Sequence, residues 1–200
     1  MNDYAVHVRD HVLLAALALA IALAIGVPLG AFAARSRRLR GATLGVVGIA
    51  RVVPSLAILA LALPFVGIGF VPSLIALAIL AIPPIAINVD LGLRGVPAAT
   101  LEAARGLGMS PREVDAKVAW PLALPVAFAG VRTAAVEVVA SATLAAFIGG
   151  GGLGEYIVNG LHDDDTAELA KGAVTVAVLA LGLEAALSAL QRRLAGKVSG

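Results

Sequence analysis

The chain has 200 residues, of which 60% are hydrophobic and only 14% charged, with a formal net charge of +2 and a mean hydropathy of +0.97. A soluble domain carries about 25% charge, and uncharged runs such as Val12–Ala34 and Val52–Val89 exceed what a soluble core needs. The absence of cysteine excludes disulfides, thiolate catalysis and cysteine-ligated metal.

About 20 apolar residues cross a bilayer as a helix, so the fold class is an all-α integral membrane protein. Five spans are expected, near 11–34, 43–64, 71–89, 122–147 and 170–190. The first is not read as a cleaved leader: Asp3, Arg9 and Asp10 make no positive n-region, and the apolar run is too long. The run Val52–Val89 is too long for one span, and "LPFVGIGFVP" breaks it with proline and glycine. Basic clusters follow the first span (Arg35, Arg37, Arg38, Arg40), the third (Arg94, Arg105, Arg112, Lys117) and the fifth (Arg192, Arg193, Lys197). Threading five helices puts all three clusters on one side, which the positive-inside rule makes cytoplasmic. The N-terminus and the acidic stretch with Glu155, Asp163, Asp164, Asp165 and Glu168 then lie outside, and the C-terminus lies in the cytoplasm.

Residues 93–121, between the third and fourth spans, are a charged cytoplasmic loop within a single 1–200 domain. The local chemistry predicts two short helices joined by a turn. Pro97 favours a first turn, Gly106 and Gly108 permit a reversal, and Ser110, Pro111 and Glu113 spell a capping box. Glu113 and Lys117 share a helix face. Pro121 and Pro125 mark the return to the membrane, and Leu101, Leu107 and Met109 leave apolar knobs near the turn.

At Glu102-Ala103-Ala104, Gly108, Val118, Trp120 and Pro121 the chain resembles the inner-membrane permeases of binding-protein-dependent ABC importers. Their signature is Glu-Ala-Ala, three residues, Gly, nine residues, Ile, any residue, Leu-Pro. Trp120 stands where the signature has leucine. A second tripeptide, Glu184-Ala185-Ala186, has neither the glycine nor the proline at the right distance. The resemblance implies a type I ABC importer transmembrane fold that is not itself an enzyme. It also implies that Glu102, Ala103, Ala104, Leu107, Gly108, Met109 and Pro121 form a coupling loop docked in a groove on a separate cytoplasmic ATPase. No cofactor is expected in this chain, since ATP and magnesium would be bound by that ATPase, and "GGGGLGEY" lacks the Lys-Ser/Thr of a phosphate loop. That glycine run reads as a flexible outer turn. Further implied partners are a second permease subunit, identical or paralogous, an extracytoplasmic substrate-binding protein and the surrounding lipid of the cell (inner) membrane, with no nucleic acid. "RVVPSLAILALALPFVGIGFVPSLIAL", "GLRGV" and "RTAAVEVVASATLAAFIGGGGLGEYIVNG" are similar to osmoprotectant permeases, implying import of glycine betaine, choline or related quaternary amines. Two alternatives remain open: an amino acid such as methionine, and an ion-coupled secondary transporter.

Ionisable residues inside spans are candidates for the pathway because burying them is costly. Thr133, Glu137 and Ser141 recur every four residues and line one face over about 12 Å. The stripe suits a cationic ligand, or else Glu137 pairs with Arg51 or Arg132 and fixes packing; Arg132 lies about 140° away on the same helix. Arg51 and Asn88 are further pathway candidates, with snorkelling and boundary roles as their alternatives. No metal site is expected, and the acidic run 163–165 reads as a solvated turn. Quaternary amines are held in aromatic cages, yet the eight aromatics are widely scattered in the chain, which places high-affinity capture on the binding protein.

Overall fold

The structure is a computed structural model that describes residues 3–35 and 67–198, with isolated positions at Gly41, Gly45, Gly48 and Ala57. The span predicted at 43–64 and Arg51 lie outside the described residues. In chain order the helices are α1 (Asp3–Arg35), α2 (Phe70–Arg94), α3 (Ala98–Gly106), α4 (Pro111–Val114), α5 (Trp120–Ser141), α6 (Gly154–His162) and α7 (Thr166–Val198). A π-helical turn, Asp115–Ala119, joins α4 to α5, and a 3-10 segment, Ala142–Ile148, extends α5. Among the described residues four helical stretches are long and apolar enough to cross a membrane.

Helix α1 outruns its predicted span: 33 residues rise about 50 Å, against a hydrocarbon core of about 30 Å. Its charged first turns therefore project beyond the apolar stretch that begins at His11. One stripe of α1 is buried, His11, Leu14, Ala15, Ala18, Ala22, Gly26 and Gly30, at the three- and four-residue spacing of a single helix face. Val12, Leu13, Leu17, Ile21 and Ile25 are exposed, as a lipid-facing flank should be.

Helix α2 lies between α1 and α5 and is the most enclosed of the described spans, with 61% of its apolar window buried against 6% for α7. Helix α7 is thus the most peripheral of the described spans. Lipid tails are as apolar as leucine, so close backbone approach rather than hydrophobic transfer holds membrane helices together. Here glycines supply it. A Cβ on Gly30 would strike Ala86 O and Val89, one on Gly92 would meet Ala123 O at 2.7 Å, and one on Gly130 would strike Pro84 O and the Asn88 side chain.

One expectation changes. The glycine run is packed rather than open: Gly149, Gly151 and Gly152 take φ of +72°, +78° and +82°. Gly150 and Gly152 are buried, with Gly150 against Ser73 Oγ and Gly152 against His11. The run leads into α6, a helix that hydropathy did not signal. His11, at the start of the first span, is only 1% exposed and its Nε2 lies 3.0 Å from Val139 O. In the acidic run, Asp165 Oδ1 accepts from the amides of Ala167 and Glu168 at 2.9 and 3.1 Å, capping α7.

Candidate functional site

The loop 93–121 is built by local hydrogen bonding. Helix α2 closes with Gly95 N–H donating to Leu91 O, and Pro97 sits one position earlier than expected, as the cap before α3. Helix α3 ends in a Schellman arrangement: Met109 N donates to Ala104 O (3.3 Å) and Gly108 N to Arg105 O (2.9 Å). That geometry needs a left-handed residue after the cap, and Gly108 has φ +85° with open space around it. Gly106 stays helical, so only one of the two glycines makes the turn.

The capping box forms as the sequence spells it. Ser110 N donates to Glu113 Oε2 at 3.0 Å, and Glu113 N donates to Ser110 Oγ at 3.4 Å. Lys117 Nζ donates to Glu113 Oε1 at 2.9 Å. That ammonium first, then the Ser110 amide and hydroxyl, hold the Glu113 carboxyl down to about 2 from an ordinary 4.5. A depressed carboxyl contributes stability above its unfolded value and loses it as pH falls from about 4.5 to about 2, so the cap is intact throughout the physiological range. Ser110→Ala is expected to leave the spans unaltered and to speed amide exchange across 110–117 about fivefold, the size of a lost N-cap, as read by hydrogen–deuterium exchange.

Helix α4 does not turn back into the membrane through a break; it runs through the π turn into α5. Trp120 N–H donates to Asp115 O, five residues back. The widened turn stands directly before Pro121, which has no N–H to offer an i−4 carbonyl. Pro125 lies inside α5 without ending it. Trp120 packs against the central apolar cluster, which accounts for a large ring where the signature has leucine. Arg35 Nη2 donates to Asp115 Oδ2 at 2.6 Å and fastens the end of α1 to this loop; both side chains are exposed, so the pair contributes at most about 1 kcal/mol.

The loop presents its residues unequally. Glu102, Ala103 and Pro121 are exposed, Leu101 and Met109 are half-buried, Ala104 is buried, and Leu107 is 85% exposed. Only one of the paired alanines therefore faces outward.

On α5, Thr133 is exposed while Glu137 and Ser141 are half-buried, at the edge of the face formed by Gly130, Ala134 and Val138. Arg132, weighed above as a partner for Glu137, turns to α7 instead: Nη1 donates to Gln191 Oε1 at 2.7 Å and Nε lies 3.3 Å from Glu184 Oε1. Asn88 Nδ2 donates to Pro84 O within its own helix at 2.8 Å. Asp90, two residues on, is fully buried. The aromatics are not all scattered in space: the Tyr4 and Tyr156 rings lie 5.7 Å apart at the end of the molecule opposite the loop.

Residues 26–200 match the family model for the binding-protein-dependent transport system inner membrane component. The chain is 40% identical to the choline transport system permease protein OpuBB of Bacillus subtilis (strain 168), covering 92% of this chain and 85% of that protein. It is 41% identical to the carnitine transport permease protein OpuCB of Listeria monocytogenes, covering 98% and 90%. A chain from the inward-facing MetNI methionine ABC transporter superposes with a TM-score of 0.85 at 21% identity, covering 97% of this chain and 99% of that one. The chain belongs to the family of binding-protein-dependent transport system inner membrane components, multi-pass membrane proteins, and has the all-helical permease fold of type I ABC importers.

Proposed function

We propose that this chain is the permease subunit of an ATP-driven importer for quaternary-amine osmoprotectants such as choline, glycine betaine or carnitine. The observation that carries the reading is the identity of about 40% over nearly the whole chain to permeases named for choline and carnitine. For the methionine alternative, the likeness of fold to a methionine transporter is at 21% identity, too distant to speak for substrate. A secondary transporter has no use for the loop 93–121. In this reading the loop faces the cytoplasm and is gripped by a separate ATPase that binds ATP and magnesium. A second permease subunit completes the pathway, and a binding protein delivers substrate to the opposite end. Glu102 offers a carboxylate to a basic partner, Ala103 gives close approach, and Leu107 and Met109 are the apolar anchors.

Thr133, Glu137 and Ser141 line the pathway in this reading, with Glu137 supplying negative potential to a passing cation. The test is uptake of radiolabelled choline and glycine betaine into vesicles holding the complete importer, with and without internal ATP. Wild type is expected to take up at least one of them only with ATP. ATP hydrolysis with neither amine moved would overturn the substrate class, and uptake indifferent to ATP would overturn the mechanism. Glu137→Gln is expected to reduce choline uptake about tenfold and glycine betaine uptake less, because choline is a net cation and glycine betaine carries its own carboxylate; one charge contact of about 1.4 kcal/mol corresponds to a factor of ten. Equal losses for both substrates would assign Glu137 to packing.

A further inference from the structure

The end of the molecule opposite the coupling loop carries an arrangement that the sequence scatters over some 170 positions. Tyr4 on α1 and Tyr156 on α6 meet edge to face, with centroids 5.7 Å apart and planes at 77°. The Lys171 ammonium of α7 sits over both rings, 4.5 Å from the Tyr4 centroid and 4.9 Å from that of Tyr156. His7 closes a third side, its ring 5.2 Å from Tyr156 and its Nε2 2.7 Å from Glu155 Oε2. Tyr4 Oη is fixed by Thr175 Oγ1 at 2.7 Å. Among the described residues Lys171 makes no ion pair; its ammonium is held by ring faces.

We propose that Tyr4 and Tyr156 form a binding site for a quaternary ammonium group, and that Lys171 is a tethered cation that fills the site until such a group displaces it. This rests on the quaternary-amine reading above and adds where the arriving cation first touches the permease. Ring faces attract any cation, but a primary ammonium is strongly hydrated and gives up water to enter. A quaternary ammonium has no N–H and loses less, which is why aromatic cages favour it. The displaced lysine has somewhere to go. Glu168 is three residues earlier on α7, on the same face of the helix.

The bare probe is radiolabelled tetramethylammonium, and the protein is the complete permease–ATPase complex in lipid nanodiscs without binding protein. Lys171→Met keeps the side chain's length and removes the competing charge. It is expected to bind tetramethylammonium about tenfold more tightly than wild type. Adding Tyr4→Leu or Tyr156→Leu to that variant is expected to abolish the gain, while Phe at either position, which keeps the ring, preserves it. A Lys171→Met complex that binds no more tightly than wild type overturns the proposal, as does a gain that survives loss of both rings; the cluster would then be a pin holding α1 to α7. Choline uptake by vesicles holding the same variants together with the ATPase and the binding protein separates the two readings. Uptake without any gain in binding overturns the cage alone, and a ring-dependent gain without uptake supports the cage and overturns the substrate class.

Discussion

Leu107→Asp is expected to abolish ATP-dependent uptake while leaving the permease folded and in the membrane. Leu107 is 85% exposed on a turn otherwise braced by its own hydrogen bonds, so its side chain contributes almost nothing to the fold of this chain. If the loop seats in a groove of the ATPase, the leucine becomes an apolar anchor. Full burial of such a side chain is worth about 1.5–3 kcal/mol, and an unpaired carboxylate in its place adds a desolvation penalty. Together these exceed the roughly 2.8 kcal/mol that corresponds to a hundredfold loss of association. Leu107→Met, similar in volume, is expected to keep most of the activity. Co-purification of the ATPase with the permease and ATP-driven uptake are the two readouts. Wild-type uptake by Leu107→Asp would show that the loop is not gripped at its turn. The backbone beneath offers a companion test: Gly108 has φ +85°, so Gly108→Val strains the turn by about 1–2 kcal/mol and is expected to weaken coupling, while Gly108→Asn, which tolerates left-handed backbone, is expected to retain it.

What could be read in the sequence was local or compositional. The capping box Ser110–Glu113, the Gly108 turn and the Glu113–Lys117 pair each depend on residues within four positions, and each is present as spelled. Spans at 71–89 and 170–190 follow from apolar length and lie inside α2 and α7. Whatever depends on tertiary packing escaped. Helix α6 carries Glu155, Asn159 and His162 beside its apolar residues and looked like loop until α7 covered it. Arg132 is weighed in the sequence only against Glu137 of its own helix, whereas its partners Gln191 and Glu184 are more than 50 positions away. The pairing of Tyr4 with Tyr156 has no sequence signal at all. Residues 111–148 read as a loop, a break and a span, but a π turn absorbs Pro121 and makes them one continuous stretch.

The glycines make the same point, and they carry the second large prediction. The chain has 22 of them, and composition treats them alike. A Cβ at Gly130 strikes Pro84 O and approaches Asn88 Cβ to 2.6 Å, whereas one at Gly182 meets nothing within 4 Å. Gly182 instead opens onto a groove of about 430 Å³ between α1, α5 and α7. Gly130→Leu is therefore expected to destabilise the permease by about 3 kcal/mol or more, because a carbonyl fixed in α2 cannot step aside as a flexible side chain would. Gly182→Leu is expected to stay within about 0.5 kcal/mol of wild type. The yield of folded, detergent-solubilised protein and its thermal unfolding decide between them; equal behaviour of the two variants would mean that α2 and α5 do not approach through Gly130. The consequence extends to transport. Thr133 and Glu137 stand one and two turns beyond Gly130 on α5, so an α5 pushed off α2 carries the polar stripe with it. Gly130→Ala, the smallest possible wedge, is then expected to lower choline uptake while the loop's hold on the ATPase stays near normal, since the hydrogen bonds that shape the turn at 103–110 lie within the loop itself.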